Sequence, residues 1–147
     1  MTKTEQGLWD AFAGESQANR KYLAYAQKAD QEGHPQVARL FRAAAEAETV
    51  HAHNHLRVLD AVKTTAENLK DAIAGETHEF KKMYPEMIQH AKAEDNPQAL
   101  RTFELANAVE ETHARLYEEL LGSLGSEIEE FAYYVCPVCG YTVGKEP

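Results

Sequence analysis

Two stretches of the chain place a histidine three residues after a glutamate, Glu48-x-x-His51 and Glu110-x-x-His113. On a helix that spacing brings both side chains onto one face. A carboxylate and an imidazole so arranged can share a metal ion, the carboxylate free to bridge to a second ion. Two further glutamates, Glu15 and Glu76, stand in matching Ala-Gly-Glu segments, and each Glu-x-x-His follows its segment by roughly the same interval. With seven His and 19 Glu in the chain, about one Glu-x-x-His is expected by chance, so two alone mean little. Their equivalent positions in a repeat carry the weight.

The repeat is readable directly. Residues 8–16 (LWDAFAGES) align with 69–77 (LKDAIAGET) at an offset of 61, and 35–51 (PQVARLFRAAAEAETVH) with 97–113 (PQALRTFELANAVEETH) at an offset of 62. One helical hairpin is used twice. Four segments show the helical period. Their inward stripes are expected to be Leu8, Phe12, Glu15, Tyr22, Ala26 and Ala29; Val37, Phe41, Ala44, Glu48, His51, His55, Val58 and Val62; Leu69, Ile73, Glu76, Phe80, Met83 and Met87; and Leu100, Phe103, Ala106, Glu110, His113, Tyr117, Leu120 and Leu124. Breaks fall at Gly33-His34-Pro35, Thr64-Thr65, Asp95-Asn96-Pro97 and the Gly/Ser pairs at 122–126. Thr64-x-x-Glu67 reads as a capping box, and Pro35 and Pro97 suit first helical turns. The expected fold is all-α: a four-helix bundle over 1–122, built from two hairpins, then a hinge and short tail over 123–147.

Within that fold the four glutamates and two histidines lie in the apolar stripes. A lone buried carboxylate is costly, and no Lys or Arg occupies the stripes near them. Two metal ions would balance the charge. Two single glutamates with two Glu-x-x-His pairs on four helices is the dinuclear carboxylate pattern of ferritin-like bundles. A merely copied surface pair would fall outside the stripes. The repeat breaks at Glu79, which aligns with Ala18, so only the third helix carries Glu76-x-x-Glu79, a fifth carboxylate on the same face.

The tail, FAYYVCPVCGYTV from Phe131, reads as an aromatic strand leading into a Cys136-x-x-Cys139 knuckle. Two thiolates do not complete a tetrahedral site. Iron or zinc there requires two more cysteines, from a missing segment of a longer polypeptide or from a second chain; otherwise the tail is a vestige and electrons arrive from a separate partner. Two cysteines also make no disulfide framework and suit a reducing compartment.

Composition narrows the class of function. The 147 residues carry a net charge of −9, which disfavours nucleic acid or an anionic membrane as partner. No apolar run approaches the roughly 20 residues of a membrane span, and the first residues lack a secretory signal's apolar core. A cytoplasmic location is the expectation.

AGESQANRKYLAYA, AEAETVH, IAGETHEFKKMYPEM, ANAVEETHARLY and YYVCPVCGY together resemble the rubrerythrin family over nearly the whole chain. The resemblance implies a non-haem diiron oxidoreductase, a peroxidase that reduces hydrogen peroxide to water and protects against oxidative stress. It implies that Glu48 and Glu110 bridge two irons, that Glu15 and Glu76 are terminal ligands, and that His113 ligates one iron. It implies further that His51 and Glu79 alternate on the other iron with oxidation state, and that Tyr22 and Tyr84 hydrogen-bond the site's carboxylates. The catalytic group would be Glu79, His51, Tyr22 and Tyr84. Cys136 and Cys139 would be half of a rubredoxin-type FeS4 site. A homodimer is implied, with rubredoxin or an NAD(P)H-dependent reductase as electron donor. The competing readings are a ferritin-like ferroxidase or iron-handling protein, and a bundle holding redox-inactive zinc. His34, His53, His78 and His90 are expected on outer faces or in loops, His55 at the end of the core, Trp9 and Phe12 in packing, and Glu118-Glu119 and Glu129-Glu130 in solvent.

Overall fold

The computed structural model describes residues 1–145 as two compact units, Met1–Lys63 and Thr64–Pro147. The first is a hairpin of α1 (Lys3–Gln31) and α2 (Pro35–Val58). Thr2 opens α1 with a capping box: its hydroxyl accepts from the Glu5 amide while the Glu5 carboxylate accepts from Thr2 N–H. Such a cap is worth about 1 kcal/mol. The turn passes through Gly33, whose φ of +78° is reached without strain only by a residue lacking Cβ. Pro35 then starts α2, its missing N–H one of the donors a helix start leaves unpaired in any case.

The two helices close on alanines. Ala26 and Ala29 of α1 and Ala38, Ala45 and Ala52 of α2 are buried, the last three seven residues apart. Methyl-sized side chains at that interval let helix axes approach to about 8 Å. The stripe expected for α2 is therefore one position off its packing seam. Phe41 packs in the core, whereas Val37, Val58 and Val62 are exposed. The seam is chosen by what fits between closely spaced helices, and β-branched valine is too wide for it.

The second unit begins with the expected Thr64/Glu67 capping box on α3 (Thr65–His78). The helix does not run on as a regular α-helix. A π-turn, Glu79–Met83, intervenes before α4 (Tyr84–Ala93). Tyr84 N–H donates to the Glu79 carbonyl, five residues back. A π-turn is one extra residue taken into a helix, and the repeat shows that residue: the offset is 61 up to Thr77 and 62 from the matched Tyr22 and Tyr84 onward. Pro85 follows at once, and its absent N–H and ring disfavour regular α-helical pairing there. Helix α5 (Pro97–Ser123), capped by the Asn96 side chain on Ala99 N–H, packs against α3 and α4 around Ala91, Val109 and Ala114.

The tail is a two-stranded antiparallel sheet, β1 (Tyr133–Val135) with β2 (Thr142–Gly144), in the register Tyr133↔Gly144, Tyr134↔Val143 and Val135↔Thr142. The Cys136 N–H donates to the Tyr141 carbonyl and the Gly140 N–H to the Cys136 carbonyl, both at 2.9 Å, closing the knuckle. Gly140, at φ +81°, lets the loop turn back, and a Cβ added there would meet the Val109 methyl of α5 at 3.9 Å. Among the described residues no helix is long and apolar enough to cross a membrane.

Candidate metal centre

Each hairpin gathers the ligand-type residues that the sequence singles out. In the first unit, ligand atoms of Glu15, Glu48 and His51 lie within 4.8 Å of one another; in the second, those of Glu76, Glu110 and His113 do the same. The equivalence is close. His51 Nδ1 stands 3.0 Å from Glu48 Oε2, and His113 Nδ1 2.9 Å from Glu110 Oε2. His113 Nδ1 is also 3.8 Å from Glu76 Oε1.

Aromatic packing repeats as well. Tyr22 lies against Phe41 with ring centres 6.0 Å apart, and Tyr84 against Phe103 at 6.3 Å. Both tyrosines are half-buried, each in the unit that holds its three-ligand group.

The carboxylates carry the electrostatic signature of a site that wants cations. The hydrogen bond to Glu48 raises the Glu15 carboxyl above the ordinary range, while Glu15 and His51 hold Glu48 below it. In the second unit, burial and then Glu110 push Glu76 up to about 7. Burial and Glu110 raise Glu79 too, and they raise the Tyr84 hydroxyl, which therefore stays protonated. Crowded acids that ionise reluctantly, with an imidazole lone pair nearby, are a donor set suited to divalent or trivalent ions. The residues fit a metal, whose positive charge would offset the crowded carboxylates.

The two groups differ in one respect. The His51 side chain is 54% exposed and the His113 side chain 27%. His113 is further held by Thr142 of the tail, 2.9 Å from its Nε2. Glu79 occupies the first position of the π-turn, half-buried one turn from Glu76. Cys136 and Cys139 are half-buried free thiols in the knuckle, and backbone N–H groups of Val138 and Cys139 lower the Cys136 thiol. Two residues of consequence escaped the sequence reading. Asn19 donates to the Ala45 carbonyl at 2.7 Å and to Thr49 Oγ1 at 2.9 Å, tying α1 to α2 one turn from Glu15. Its signal was a polar residue one helical turn along the Glu15 stripe. Thr142 had no local signal, since its contact spans 29 positions. His55 is half-buried, and His34, His53, His78 and His90 are exposed, as expected.

The rubrerythrin family model matches residues 7–121. The chain is 36% identical to Rubrerythrin-2 of Clostridium acetobutylicum, covering 97% of this chain and 86% of that protein. It is 32% identical to nigerythrin of Nitratidesulfovibrio vulgaris, over 94% of this chain and 75% of that one. A solved structure of fully reduced, all-ferrous nigerythrin superposes with a TM-score of 0.57 at 30% identity, over 99% of this chain and 79% of that one. The family match spans both three-ligand groups, Glu79 and both tyrosines, and the chain, with its ferritin-like helical fold and short C-terminal knuckle, belongs to the rubrerythrin family.

Proposed function

We propose that this protein is a diiron peroxidase that reduces hydrogen peroxide to two waters, taking up two electrons and two protons per turnover. The observation that carries the reading is the duplicated Glu/Glu/His group, one in each hairpin, in a chain of this family. Together the two groups supply ligands for two ions, with Glu79 in addition. Bound iron would supply the electrons, one from each of two ferrous ions, and the Lewis acidity that polarises the O–O bond. The protein's own residues do the rest. Glu48 and Glu110 each stand beside an imidazole of their own helix, so each would hold an ion together with that histidine. Glu15 and Glu76 close the two groups from the opposing helices α1 and α3. Exposed His51 and half-buried Glu79 are read as ligands as well. Tyr84, kept protonated by burial and by the charges of Glu110, Glu79 and Glu76, would serve as a hydrogen-bond donor to those carboxylates and not as a competing anion.

The working assembly is read as a homodimer in the cytoplasm, with electrons delivered by rubredoxin or an NAD(P)H-dependent reductase. Iron or zinc at Cys136 and Cys139 requires completion of that site by further thiolates.

The test is anaerobic rapid mixing of the ferrous protein with hydrogen peroxide and, separately, with O2. Peroxide should oxidise both irons much faster than O2 does. Equal or slower oxidation by peroxide points instead to a ferroxidase, and purified protein carrying zinc in place of iron sinks both.

A further inference from the structure

His113 is the one imidazole of the two groups whose outer nitrogen is held by another side chain among the described residues. Thr142, on β2, places Oγ1 2.9 Å from His113 Nε2. A hydroxyl has a single proton, and the Thr142 oxygen also stands 3.0 Å from the Gly140 carbonyl, an acceptor that can take it. With its proton on that carbonyl the oxygen accepts from His113, and Nε2 then carries a proton. A neutral imidazole protonated at Nε2 keeps its lone pair at Nδ1. Nδ1 is the nitrogen 2.9 Å from Glu110 Oε2 and 3.8 Å from Glu76 Oε1, where an ion would be held.

This matters because Glu110 pulls the other way. A carboxylate 2.9 Å from Nδ1 draws the ring proton onto Nδ1, which blocks the atom an ion needs. The Thr142 hydroxyl is the competing acceptor. In the first unit, His51 Nδ1 faces Glu48 at 3.0 Å in the same manner, yet its Nε2 has no side-chain hydrogen-bond partner among the described residues. Groups that bind the outer nitrogen of a metal-ligating histidine fix both its tautomer and its ring orientation.

We infer that Thr142 is a positioning residue that keeps His113 in the Nε2–H tautomer and so presents Nδ1, unprotonated, to a metal ion. The short tail thereby acts on the metal group through one hydrogen bond, whatever is bound at its cysteines. The inference rests on the diiron reading only for the identity of the ion, because the tautomer belongs to the metal-free protein.

The experiment is two-bond 15N–1H correlation of the imidazoles in metal-free protein at about pH 8, where imidazoles are neutral. Wild type should show His113 as Nε2–H. Thr142→Val, close in shape and well suited to a strand, should shift it to Nδ1–H, and Thr142→Ser should restore Nε2–H. Anaerobic chelator competition with Fe(II) should show about tenfold or more weaker binding for Thr142→Val and near-normal binding for Thr142→Ser. An Nδ1–H signal in wild type, or an unchanged tautomer in Thr142→Val, overturns the assignment. Tyr133 and Leu120 line one cavity with His113 and Thr142, and NMR contacts across that cavity report whether the tail still sits on α5. If Thr142→Val releases it, the serine variant decides: docking regained with the tautomer supports the role, and docking regained without it overturns the role. Wild type that binds fewer than two irons while keeping Nε2–H refutes the diiron reading and leaves Thr142 in its role.

Discussion

At Glu76 burial and the neighbouring Glu110 carboxylate act in the same direction and shift the group furthest. The Glu76 carboxyl, ordinarily near 4.5, is raised to about 7. In the folded metal-free protein it keeps a proton that the unfolded chain has already released. Stability from this group is therefore full below about pH 4.5, declines as pH rises toward 7, and is level above that. Thermal unfolding in the presence of chelator should show the midpoint falling across that window, and Glu76→Gln should flatten the fall. A midpoint that rises over the same range contradicts the assignment. Glu79 gives a second expectation, because it is the carboxylate without a counterpart in the repeat. Glu79→Gln should leave two irons bound and slow peroxide turnover by at least about tenfold, read by metal analysis and steady-state rates. The six residues that gather in the two Glu/Glu/His groups were legible from residue type and repeat position. The state of each was not: which carboxyl holds a proton, and which imidazole is pinned, depends on neighbours brought from other helices and from the tail.

Among the elements, the π-turn shows how much an offset of one can mean. The shift from 61 to 62 is visible in the sequence, but a repeat comparison places the extra residue only somewhere between Thr77 and Tyr84. Hydrogen-bond pairing in the folded helix puts it at Glu79–Met83. Removing one residue restores the register of the first hairpin and turns Glu79 by about 100° relative to Tyr84. Deletion of exposed Lys81 should leave helical circular dichroism essentially unchanged while abolishing the excess of the peroxide rate over the O2 rate. The α2 stripe teaches the converse lesson. Its period was correct and its phase was one position off, because valines weigh more than alanines in a hydrophobic pattern. Ala38, Ala45 and Ala52 win the seam on size alone. Caps and turns were legible because their chemistry is local, as with Thr64/Glu67 and Pro97.

Taken as a whole the molecule has few deeply buried residues, and among the described ones no large side chain is fully buried. Much of its stability should then depend on what fills the acidic groups. Two ferrous ions would add four charges and take the chain from −9 to −5. Iron at a hundredfold excess over its dissociation constant stabilises by about 2.7 kcal/mol per site. For a chain of this size that raises the melting temperature by roughly 5–10 °C per site. Calorimetry of the loaded and chelated forms checks it, and equal midpoints would mean that metal and fold are uncoupled. The alanine seam sets one further condition. Glu15 and Glu48 meet across the α1–α2 contact that Ala45 and its neighbours keep narrow, with Asn19 as the tie. The gap between the two carboxylates is thus gauged by methyl groups that touch no ion. A wider side chain at Ala45 should therefore part the two carboxylates and, with a metal bound there, change which ion is preferred.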